Sequence, residues 1–160
     1  MVGRSIEETV DYVAIVRLQR AYADVVNRRD WAGMHQLFTA DATVDLELVT
    51  RPSVHIAGPG ALGGFIGAAI ERFAFFEFVV LNTHVDLWPD GDRTAATARV
   101  FMCELRQLVG QIERDDAYGL YRDRYELVDD EWRISARRYR SLGRFPSGEV
   151  LPTDPADFAL

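Results

Sequence analysis

The sequence predicts a single α+β domain, with helices in its first half and a long antiparallel meander in its second. Apolar residues recur at helical spacing through Val10, Val13, Ala14, Leu18, Ala21, Tyr22 and Val25, which marks one buried helix face. Strand-like runs separated by turn signals fill the chain from Phe76 to Ser141. At 160 residues the chain suits one domain, able to bury about two-thirds of its unfolded surface.

The first helix has a strong start signal. In Ser5-Ile6-Glu7-Glu8 the Ser5 hydroxyl can take an orphan backbone N–H while Glu8 reaches back to do the same. Asn27-Arg28-Arg29-Asp30 breaks the helix, and Asp30 caps a second, short one carrying Trp31, Met34, Leu37 and Phe38. A strand is expected over Ala42 to Val49, and a strand or loop over Arg51 to Gly58. Gly58-Pro59-Gly60 opens a third helix, with Pro where its missing N–H costs little and Leu62, Phe65, Ile66, Ala69 and Ile70 facing inward. Phe76 to Trp88 is β-rich and ends at the Pro89-Asp90-Gly91-Asp92 turn. Strands follow over Thr94 to Leu105, Tyr118 to Val128 and Trp132 to Ser141. Segregated helices on one face of a curved sheet make an α+β arrangement. The domain is expected over residues 1–142, with a proline-containing tail over 143–160.

Composition excludes several classes. A net charge of −7 disfavours nucleic acid as a partner, since phosphate binding needs a positive surface. Apolar runs are broken well short of the roughly 20 residues a membrane helix needs, so no membrane partner is expected. Met1 to Glu8 lacks the apolar core of a secretory signal, and Cys103 is the only cysteine, which together predict a cytoplasmic location. His35, His55 and His84 are too far apart to mark a metal site, and no phosphate-binding or dinucleotide motif occurs, so neither a metal nor a cofactor is expected. All 18 basic residues are arginine. The group Arg133, Arg137, Arg138, Arg140 and Arg144 reads as a solvated strand edge paired with local acids, with an anion site as the alternative.

Five segments, in this order and spacing, carry a resemblance: YADVVNRRDW (from Tyr22), LFTADATVD (from Leu37), GPGALGGFI (from Gly58), NTHVDLWPDGDRTAATA (from Asn82) and YELVDDEWRISARRY (from Tyr125). The chain resembles the SnoaL-like, scytalone dehydratase-like branch of the nuclear transport factor 2-like superfamily. The resemblance implies a cone-shaped α+β barrel, in which a curved antiparallel sheet wraps three N-terminal helices around a deep apolar pocket. It implies a cofactor-independent lyase or isomerase, dehydratase-like, acting on a small hydrophobic molecule, with polycyclic compounds in its range. The alternative is a non-catalytic ligand-binding or partner-subunit domain of the same fold.

The resemblance makes His84 the catalytic base, because imidazole accepts and returns a proton near neutral pH. The competing reading is a histidine hydrogen-bonded on a polar strand face. Alternation puts Asn82, His84, Asp86 and Trp88 on one face; the pocket is expected on one face and a subunit contact on the other, which points to a homodimer or larger homo-oligomer. Where the family supplies an acid to orient the base, this chain has Asn27, with Asp24 one turn earlier as a substitute. Glu104 ends an apolar row on the strand face it shares with Ala96, Ala98, Val100 and Met102, and burial there would raise its pKa; the other reading is a solvated residue or a partner of Arg106. Asp123 shares a strand face with Tyr121 and Tyr125 and is the further acid candidate. Tyr22, Asn27, Trp31, Leu46, Phe65 and Tyr121 are the expected substrate-binding residues.

Overall fold

A computed structural model describes residues 5–48, 51–146 and 148–150. Helix α1 spans Ile6–Arg28, and the Ser5–Glu8 capping box forms at its start. It stops where Arg29 turns left-handed. Asp30 then accepts from the Gly33 N–H and caps a 3-10 turn, Trp31–Gly33, that runs into α2, Met34–Leu37. Strands β1 (Phe38–Glu47) and β2 (Val54–Ala57) precede α3 (Pro59–Ile70). The long strands β3 (Phe73–Leu87), β4 (Ala95–Leu108), β5 (Asp116–Val128) and β6 (Glu131–Phe145) complete the sheet with a short β7 (Glu149–Val150). β6 therefore continues past Leu142, where the tail was expected to begin. Val49 and residues 151–160 of that tail lie outside the described residues.

The sheet order is β2-β1-β6-β5-β4-β3, with β7 beside β6. The path is open at β2 and β3, and the helices pack inside its curve. One expectation needs correction: the sheet is mixed, because β1 lies parallel to β6. A parallel neighbour needs a long connection, and here everything from β2 to β5 supplies it. The other pairings are antiparallel.

Bulges bend the strands and reset which side chains face in. One lies between Val80 and Asn82 in β3, and another where β5 meets β6 around Arg124 and Tyr125. In β3 the even-numbered Phe76 and Phe78 are buried before the bulge, whereas after it the odd-numbered Val85 and Leu87 pack on the core. In β6 Trp132 and Ile134 are buried on one parity, then Arg137 and Ser141 on the other.

Asp11 ties the far end of α1 to the sheet. Its two carboxylate oxygens accept from the indole N–H groups of Trp88 and Trp132, each at 3.0 Å. Replacing Asp11 with Ala leaves both donors unpaired, and loss of about 1–3 kcal/mol in urea unfolding is expected. A change below about 0.5 kcal/mol would show that water replaces the carboxylate without penalty.

Candidate functional site

The helices and sheet enclose a hollow of about 350 Å³. Val44, Leu46, Leu62, Phe65, Ile66 and Phe76 are among its apolar wall residues. Cross-strand register aligns the polar groups in rows. One row runs Val44–Arg137–Asp123–Ala98 across β1, β6, β5 and β4, and the next runs Leu46–Tyr139–Tyr121–Val100. A third pairs Phe78 with Glu104 and Glu104 with Ala117. Gly119 makes room for this arrangement: a Cβ there would lie 2.2 Å from the Tyr139 ring.

Arg137 is the centre of the polar wall. Its Nε and Nη2 donate to the two oxygens of Asp123 at 2.8 and 2.7 Å, and both side chains are essentially buried. Its guanidinium carbon lies 4.3 Å from the Tyr22 ring centre and 3.9 Å from that of Tyr121. Burial opposes its charge, but the Asp123 carboxylate outweighs burial and holds the guanidinium proton more tightly than usual. Nη1 is buried and has no hydrogen-bond partner among the described residues.

A buried chain fixes that ion pair from behind. Tyr125 donates to Asp123 at 2.7 Å and accepts from the Gln19 amide at 2.9 Å; Gln19 accepts from the Thr83 hydroxyl at 2.8 Å. Burial raises the Tyr125 pKa well above the ordinary range, so the phenol stays a donor. Burial likewise raises Tyr22 and Tyr121, whose hydroxyls hydrogen-bond each other, and pushes Tyr139 up to about 12.

Glu104 lines the same hollow. Its carboxylate meets Arg106 Nη1 at 3.1 Å, and its side chain is 27% exposed, through the hollow itself. Removal from bulk water raises its pKa, and the opposing pull of Arg106 does not cancel that rise. Arg106 also binds Asp115, at 2.7 Å. Glu104 and Arg137 both act electrostatically on Tyr22 and Tyr121, which places the two charges around one set of hydroxyls.

Of the residues expected from sequence, Tyr22, Leu46, Phe65, Glu104 and Tyr121 line the hollow. Four others do not. His84 is exposed, on the outer face opposite Arg99, because the bulge after Val80 reverses the strand parity. The expectation that its ring projects into the pocket is corrected on that ground. Asp123 lies behind the wall, bound to Arg137 and Tyr125, and does not orient His84. Asn27 clamps α1 to β3 instead of facing a ligand: its amide donates to the Phe78 carbonyl at 2.9 Å and accepts from the Phe78 N–H at 2.7 Å. Trp31 packs on α3, where Cβ atoms at Gly63 and Gly67 would approach its side chain to 3.1 Å. Asp24, the substitute acid, is exposed and paired with Arg28. Sequence reasoning missed Arg137, Tyr139 and Arg106 as wall residues. The arginine group in the last strand was the available signal, but it read as a solvated edge.

No helix among the described residues is long and apolar enough to cross a membrane. Comparison with solved structures gives close agreement in fold at low identity. A candidate scytalone dehydratase from Novosphingobium aromaticivorans superposes with a TM-score of 0.73 at 18% identity, over 96% of this chain and 98% of that one. Hexachlorocyclohexane dehydrochlorinase LinA-type3 from Novosphingobium barchaimii gives 0.74 at 16% identity, over 92% and 99%. A protein with a cystatin-like fold from Nostoc punctiforme gives 0.67 at 15% identity, over 89% and 96%. No curated protein sequence matches significantly. The SnoaL-like domain model matches residues 7–138, which takes in both helices and sheet of the hollow, and the chain belongs to the SnoaL-like domain family.

Proposed function

We propose that the chain is a cofactor-independent lyase or isomerase that binds a small, mainly apolar molecule in the hollow. Glu104 moves the proton and Arg137 stabilises charge on a substrate oxygen. The observation that carries this reading is an apolar hollow lined both by a carboxyl of raised pKa and by an arginine with a donor unpartnered among the described residues. The Glu104 carboxylate takes a proton from a carbon beside a carbonyl. The electron pair moves onto the oxygen, which accepts from Arg137 Nη1 and a tyrosine hydroxyl. The proton then returns to another carbon, an isomerisation, or goes to a departing β-group, an elimination. His84 takes no part. Dehydratase and dehydrochlorinase, the names of two similar structures, denote eliminations and support the lyase class.

A non-catalytic binding role is the second reading. The ion pair between Glu104 and Arg106 favours it, because that pair restrains the carboxylate. A homodimer or larger assembly is also proposed, since apolar Phe75 and Leu81 are exposed on β3. A cytoplasmic location is proposed with it, on the lone thiol of Cys103.

Deuterium exchange into a panel of cyclic ketones, followed by NMR in heavy water, separates the readings. Exchange above the buffer rate is expected for ketones that bind, with His84→Ala within about twofold of the wild type, because an exposed outer residue lies outside the machinery. Ketones that bind but exchange no faster than in buffer would return the hollow to a binding role.

A further inference from the structure

We propose that the rim of the hollow is an anion site, so that its natural occupant is an amphipathic organic anion with an apolar body and a single carboxylate-like or sulfonate-like end. The inference rests on the hollow as a binding site, though not on its proton chemistry. Five arginines line the hollow, Arg51, Arg72, Arg106, Arg137 and Arg144, against one carboxylate, Glu104. This excess of cations is local, because the whole chain carries a net charge of −7. Two of the five are neutralised by acids: Arg137 by Asp123, and Arg106 by Glu104 and Asp115. Arg51 and Arg72 have no ion-pair partner among the described residues.

These guanidiniums crowd one another. Arg72 loses proton affinity first through partial burial and then through the charges of Arg106, Arg51 and Arg144. A wall that gathers like charges is under repulsion that a bound anion relieves. Phe73 holds two of them in place: Arg72 lies 4.9 Å and Arg106 5.1 Å from its ring centre. Position then sorts the ligand. Arg72 occupies the turn between α3 and β3, and Arg51 the connection between β1 and β2; both are exposed, so the charged end sits at the mouth. Phe65, Ile66 and Phe76 receive the apolar body. Arg137, already paired with Asp123, is left to take a neutral acceptor oxygen further in.

The test compares two fluorescent probes with nearly the same aryl body. One is 1-anilinonaphthalene-8-sulfonate and the other is neutral N-phenyl-1-naphthylamine. Wild-type protein is expected to bind the sulfonate about tenfold more tightly at low salt, since each charge-assisted contact contributes substantially. That preference should shrink as salt rises. In the Arg51→Gln/Arg72→Gln double variant, sulfonate affinity should fall to that of the neutral probe. Neutral-probe affinity should stay within about twofold of wild type, because Phe65, Ile66 and Phe76 receive the aryl body and the two arginines sit at the mouth. Equal affinities in the wild type, or a sulfonate preference that survives in the double variant, would overturn the anion site while leaving the hollow a binding site. Failure of both probes to bind would overturn the two together.

Discussion

Replacing Arg137 with methionine is expected to destabilise the fold by about 3–5 kcal/mol, because it leaves the Asp123 carboxylate buried without its cation. Asp123 has a fully buried side chain, and after the change only Tyr125 would still donate to it among its present partners. A surface ion pair would lose at most about 1 kcal/mol on the same treatment. The double variant Arg137→Met/Asp123→Leu should recover most of the loss, since an apolar pair replaces two charges that no longer need each other. Urea unfolding of the two variants reads both results. A single variant that loses less than about 1 kcal/mol would mean that water reaches Asp123 and that the wall is wetter than its geometry implies.

Glu104→Gln is expected to lower ketone exchange by about 10²- to 10⁴-fold, the usual contribution of a positioned acid or base. Glutamine keeps the shape and can still accept from Arg106, so the loss should fall on the rate and leave binding nearly intact. The same variant has a signature in stability. Burial raises the folded-state pKa of Glu104 above its ordinary value of 4.5, so the folded protein holds this proton more tightly than the unfolded chain does. The stabilising protonation is complete below the ordinary value and is lost as pH rises through the raised one. Wild-type stability relative to Glu104→Gln should therefore decline across that window. Urea midpoints measured in parallel for the two proteins isolate the effect, and a constant difference across the window would place the carboxyl in open water.

Much of the architecture is legible in the chain before folding. The capping box at Ser5, the break at Asn27-Arg28-Arg29-Asp30 and the proline entry to α3 act through neighbours three or four residues away, and each forms as read. The turn signal at Pro89-Asp90-Gly91-Asp92 likewise separates β3 from β4 as expected. Glu104 and Tyr121 could be assigned to the inner face because β4 and this stretch of β5 keep their alternation. Their inward positions follow from counting by twos.

Where that count breaks, the sequence reading of the site breaks with it. One unpaired residue in β3 turns His84 from the inner face to the outer, and a similar irregularity in β6 brings Arg137 inward. A shift of one residue exchanges the two faces of a strand, so each slip reverses the role of every side chain beyond it. Local sequence therefore determined the elements, their order and their ends, since those depend on caps, turns and spacing within one segment. Only the tertiary structure decided which side chains meet in the hollow, because the bulges are set by how the strands curve around the helices.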